Sequence, residues 1–158
     1  MAAIFNKFDL YSQHLLTGVH DLTTAATGKL MIALCPVANE PNKANVVLGE
    51  LVTISPYTNL ITNWGDVTGA TADREIGDPT IGQPDTAGVT KVILPDMTIT
   101  ASGGAIAEFQ WVVLYNDTPV SPAKPLIGWM DYGTGLTLAD GESLVIDFSD
   151  TLGLFTLT

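Results

Sequence analysis

Cationic side chains are scarce in this 158-residue chain. Six Lys and Arg together, with Arg74 the single arginine, stand against seventeen Asp and Glu, for a formal charge of −11. A surface of that sign repels a phosphate backbone, so direct nucleic-acid binding is not expected. One cysteine excludes an intrachain disulfide. Cys35 lies in LMIALCPV with no cationic neighbour to lower its pKa, and reads as a small buried hydrophobe. The two histidines, His14 and His20, lack the companion ligands and spacing of a zinc site. There is no uncharged apolar run of about 18 residues, and no basic N-terminal stretch followed by an apolar core, so neither a membrane-spanning helix nor an obvious secretion signal is expected. No glycine-rich loop links a strand to a helix, and no nucleophile elbow occurs, which leaves nucleotide binding and serine hydrolysis unsupported. Charged residues make up only 15% of a chain that is 46% apolar. That excludes disorder and leaves a surface thin in charge, of the kind that partners cover. The length suits one domain, 1–158.

What the chain has is short apolar runs separated by turn chemistry. Leu30, Ile32 and Leu34 alternate with Met31 and Ala33 until Pro36, the pattern of a strand. Val46 to Ile54 reads either as one bent strand or as a short helical turn feeding a strand. Strands are expected at Val89 to Leu94 and Met97 to Thr100, with a turn at Ser102 to Gly104. Phe109 to Tyr115, apolar on both faces apart from Gln110, marks a central strand covered on each side. Leu126 to Met130 forms another. Leu136 and Leu138 are expected to pair with Leu144, Ile146 and Phe148 across an Asp140-Gly141 hairpin, and Leu154 to Thr158 to close a sheet edge. The expected fold is mainly β, an antiparallel β-sandwich of which the jelly roll is one form.

Two segments depart from that pattern. In residues 1–22, Ile4, Phe8, Tyr11 and Leu15 recur at helical spacing, with Asn6 as cap and Gly18 as stop. The apolar stripe either packs on the protein's own sheet or docks as an arm on a neighbouring subunit, which makes Ile4, Phe5, Phe8, Tyr11 and Leu15 interface candidates. Residues 56–88 form a long loop excursion rich in Gly, Pro, Asp and Thr, of a length that is usually functional, disordered alone or ordered by contact with another chain, and contact is the favoured reading. Trp64, isolated there among polar neighbours, is its interface candidate.

Candidate chemistry is thin. The loop carboxylates Asp66, Asp73, Glu75, Asp78 and Asp85 offer oxygen to a hard cation, but lack EF-hand spacing and read as solvated charge. Asp131, Asp140, Glu142 and Asp147 could supply the acid and base of a glycosidase, yet Asp140 and Glu142 sit at a tight turn, which accounts for them more simply. Trp111 and Trp129 could line a ligand groove with Trp64, but lie in apolar strands where core packing is favoured. No catalytic residue, cofactor or metal is assigned, and an enzyme is not expected.

The segment FQWVVLYNDTPVSPAKPLIGWMDYGTGLTLADGESLVIDF resembles a family of small virion structural proteins of tailed bacteriophages and prophages. Its aromatic strand ending in LYNDT, its Pro-containing loop, PLIGW-DYG, TL-DGE and a strand ending in DF follow that family's order, as do the earlier NKF, GVHDL and TASGG. The excursion at 56–88 is the weakly matching part. The resemblance implies a head decoration or cement protein that binds the major capsid protein on the outer surface of the head and is made in the host bacterial cytoplasm. Threefold sites on a shell would favour a homotrimer. A tail or head-to-tail connector component is the competing particle role, and a carbohydrate-binding adhesin module the competing class.

Overall fold

A computed structural model describes residues 4–22, 30–53, 76, 79–82, 88–101, 104–148 and 153–157. The fold is mainly β. Strands β1 (Ile4–Lys7), β2 (Leu30–Cys35), β6 (Ile106–Asn116) and β7 (Leu126–Leu138) form one antiparallel sheet in the order β1-β7-β6-β2. A second sheet joins β3 (Thr80–Gly82), β4 (Thr90–Ile93) and β9 (Phe155–Leu157), and β5 (Met97–Thr100) pairs with β8 (Ser143–Ile146). One helix, α1 (Tyr11–Leu16), and a single 3-10 turn, Leu48–Glu50, complete the described elements.

The middle of the four-stranded sheet is buried on both faces, as the apolar runs of β2 and β6 require. Leu30, Ile32, Leu34, Val112 and Leu114 face a large cluster shared with Val92, Leu94, Met97, Ile99, Ile146 and Phe148. Met31, Ala33, Cys35, Trp111, Val113, Tyr115 and Trp129 face the other way, onto a smaller cluster roofed in part by Leu48 and Leu51. Register sets this sorting, because Ile32 lies opposite Leu114 while Ala33 lies opposite Val113. Every position of β2 is therefore buried, and the central-strand reading of Phe109 to Tyr115 holds, with β6 flanked by β7 and β2.

Four expectations need correction. Residues 4–7 are a strand, and Asn6 caps nothing: the helix begins at Tyr11, with Leu10 at its N-cap and no side-chain cap. The edge of β7 offers those four residues ladder partners that a local periodicity cannot reveal. The helix stops as expected. Gly18 takes φ 75°, its N–H donates to the Leu15 carbonyl and that of Val19 to the His14 carbonyl, a Schellman closure. Second, Leu126 to Met130 and Leu136 to Leu138 belong to one thirteen-residue strand. Third, Asp140-Gly141 is a turn, with Gly141 at φ 86°, but it joins two sheets instead of closing a hairpin. The end of β7 stays on β6, with Leu138 opposite Ile106, while β8 crosses to β5, with Leu144 opposite Ile99. Fourth, the 56–88 excursion contributes structure: Thr80–Gly82 pairs with β4, and Ile76 is buried with its N–H donating to the Leu30 carbonyl. Between Val46 and Ile54 the helical turn is the alternative that the described residues support.

Candidate functional site

The second face of the four-stranded sheet carries a pocket of about 470 Å³. Its floor is Trp111, Trp129, Asp131 and Asn6, and its wall is Glu40, Pro41, Asn42 and Lys43. Strand pairing assembles the floor. Asn6 lies opposite Trp129 across the β1–β7 ladder, and Trp111 opposite Asp131 across β6–β7, so all four side chains rise from the same face. Both indoles are largely covered, at 7% and 3% exposure, and the Phe8 ring packs against Trp129 at a tilt of 47°, with ring centroids 4.7 Å apart. Such a pair adds about 1 kcal/mol beyond the area it buries.

The polar groups of the pocket are held from behind. Asp131 Oδ1 accepts from Gln110 Nε2 at 3.0 Å and from the Gly133 N–H at 2.7 Å. In the wall, the Asn42 N–H donates to Asn45 Oδ1 at 2.8 Å and the Ala44 N–H to Asn42 Oδ1 at 2.9 Å, a self-bonded turn. The Asp9 N–H ties that wall to the N-terminal segment through the Lys43 carbonyl at 2.9 Å. Trp111 Nε1–H is sealed from water and has no hydrogen-bond partner among the described residues. A buried donor left so costs about 1–3 kcal/mol.

Comparison with family models, curated proteins and solved structures finds no match. The molecule's own chemistry therefore carries the reading.

A second polar cluster lies beneath α1. The Schellman closure brings His20 back beside the helix, with ring centroids 5.7 Å from His14 and 5.2 Å from Tyr11, whose ring also meets Phe155 edge-on at 5.3 Å. His20 is 3% exposed. Burial first, and then the neighbouring His14, push its pKa down to about 4, while an approach to the Leu126 backbone acts the other way. Neither ring nitrogen of His20 nor the Tyr11 hydroxyl has a well-formed hydrogen bond among the described residues. Burial also raises the Tyr11 phenol, and pushes the Cys35 thiol up to about 12. These groups are neutral packing elements at ordinary pH. Among the described residues, no three His, Cys, Asp or Glu side chains converge as a metal centre, and no helix is long and apolar enough to cross a membrane.

Of the interface candidates, Phe8 and Tyr11 are buried on their own chain, at 1% and 3%, which removes both from any surface that could meet a neighbour. Leu15 packs partly against the large cluster. Phe5 is half-buried against Gly128, leaving no space there for a Cβ, and Ile4 pairs opposite Asp131. Trp64 lies outside the described residues, as do Asp66, Asp73, Glu75, Asp78 and Asp85. The pocket residues Asn6, Glu40, Asn42 and Lys43 carried no sequence signal, because the β1–β7 register and a tethered loop create their proximity.

Proposed function

We propose that the chain is a structural protein of a tailed-phage particle: a decoration or cement protein that binds the outside of the head, in trimers at threefold sites, and stabilises the shell. The observation that carries this reading is what the family-like strings do in the fold. Several of their polar groups serve the scaffold. Within LYNDT, Asn116 is buried, its N–H donates to the Pro125 carbonyl and its Oδ1 accepts from the Thr118 N–H at 3.0 Å. Within PLIGW-DYG, Gly128 lets Phe5 lie flat on the sheet, and Asp131 joins β6 to the bend at Gly133. Within TL-DGE, Glu142 Oε2 accepts from the Ala139 N–H at 2.7 Å and closes the turn at Gly141. In the closing DF, the Phe148 N–H donates to Asp96 Oδ1 at 2.9 Å while its ring enters the core. Strings that serve folding suit a protein whose function is to present a rigid body.

The packing of the four-stranded sheet against β4, β5 and β8 through one apolar cluster supports a two-layer sandwich as the form of that body. The charge of −11 favours the outer face of a DNA-filled shell over its interior. The exposed apolar side chains Leu16, at 88%, and Val120, at 93%, are free of contacts on their own chain that would keep a lattice neighbour from covering them. The test is a particle reconstruction together with subunit counting by quantitative mass spectrometry. Density on the outer head surface at capsid-like stoichiometry is the expected result. Density in the tail or neck, or absence from purified particles, would overturn it.

A further inference from the structure

We propose that the pocket floored by Trp111 and Trp129 is a saccharide subsite that takes one pyranose ring of a neutral glycan. The pocket's volume of about 470 Å³ falls in the range of small-ligand sites, about 300–1,000 Å³. Its lining selects the class. Two carboxylates, Glu40 and Asp131, share the space with a single ammonium, Lys43, and the whole chain is strongly acidic, so a phosphate or nucleotide would be repelled. The ammonium facing the same space, together with the lack of a third converging His, Cys, Asp or Glu among the described residues, disfavours a hard cation. A purely apolar ligand would strand the charged wall. A polyhydroxylated ring suits both parts, with hydroxyls that donate to carboxylates and accept from an ammonium, and C–H faces that meet indole.

The site is also built in advance. Both bonds to Asp131 fall on Oδ1, which fixes the carboxylate and directs Oδ2 to other donors. The wall is locked by its own Asn42–Asn45 turn and by the Asp9–Lys43 tether, so little ordering is left for the ligand to impose. The slight exposure of the two indoles makes the contact shallow and a single site weak, with Kd on the order of millimolar. Here the inference draws on the particle-surface role proposed above: copies repeated over a shell would convert a weak subsite into avid attachment to a glycan-bearing surface.

The full chain should be titrated with glucose, galactose, mannose and N-acetylglucosamine, in parallel with inorganic phosphate and methylamine, following tryptophan emission and backbone amide shifts. The expected result is a saturable response to at least one sugar, with the shifts centred on residues 40–43 and 129–131. Affinity should fall about tenfold or more in Glu40→Gln and in Lys43→Met, each the loss of one charge-assisted bond. Both positions are polar wall sites and should leave the melting temperature unchanged, and Val145→Ala, on β8, should leave sugar affinity unchanged. No saturable response to any sugar by a folded protein, an undiminished response in both wall variants, or a response to phosphate or methylamine instead, overturns the proposal. Protein found on heads without a sugar response refutes the subsite alone, whereas sugar binding by a protein absent from particles refutes the decoration role alone.

Discussion

Acidification should destabilise this protein through His20 in a way that a single substitution removes. The imidazole is buried at 3% exposure and its pKa in the fold is about 4, while an unfolded chain returns it to about 6.5. The unfolded state therefore binds more protons than the native state between those values, and stability falls as pH drops through that window. Above pH 7 both states are neutral and the effect vanishes. The loss amounts to about 2 kcal/mol at pH 5 and about 3 kcal/mol by pH 4, where it levels off. Carboxylates also titrate at the low end, but they are common to wild type and variant and cancel in the comparison. Urea unfolding at pH 7 and pH 5 should show wild type losing about 2 kcal/mol more than His20→Leu. His14→Leu removes the second cause of the shift and should narrow the window. Equal pH-dependent losses in wild type and His20→Leu would refute the assignment of a buried, neutral His20.

Gly128→Ala places a methyl group against the Phe5 ring and 2.7 Å from the Asn6 carbonyl oxygen, so β1 must lift from β7. The expected cost is about 2–3 kcal/mol by chemical denaturation, and a neutral result would contradict the β1–β7 register. Cys35 is fully buried with its thiol pushed up to about 12, so it should resist maleimide at pH 8 in the native protein and react within minutes in urea. Leu16→Glu and Val120→Glu should change stability by less than about 0.5 kcal/mol, yet lower occupancy on shells in a particle-binding assay. Unchanged occupancy in both would remove these side chains from the proposed capsid contact. Deleting residues 1–18 would be a poor test of docking, because it removes an edge strand together with Phe8 and Tyr11 and should unfold much of the sheet.

The strands whose apolar pattern is self-contained were legible in the sequence. In β2, β5 and β6 the alternation or continuity of burial follows the side chains directly, and Pro36 ends β2 where backbone chemistry says it must. Partnership was not legible. Asp140-Gly141 has hairpin chemistry, yet β8 finds its partner in β5, because the apolar faces of Leu144 and Ile146 match Ile99 and Met97 across a gap that turn residues do not encode. The helical spacing of Ile4, Phe8 and Tyr11 was real but spans a strand, a turn and a helix start, each fixed by contacts far along the chain. The pocket was half-visible: both tryptophans stood out, but the carboxylates, amides and lysine beside them come from three separated segments.

The order of the main sheet, β1-β7-β6-β2, bears on how the protein comes into being. Its two outer strands lie within the first 35 residues and its two inner strands within residues 106–138. A chain made from its N-terminus thus releases both flanks about seventy residues before their ladder partners in β6 and β7 exist. The β6–β7 pair, joined by a loop of nine residues, is the local unit able to form alone and recruit the waiting flanks. Folding is then expected to be slow and to finish only after Leu138 has emerged, with the apolar β2 segment exposed meanwhile to wrong partners. Early shielding of the fully buried segment LMIALC would then matter to folding yield as well as the stability of the finished fold.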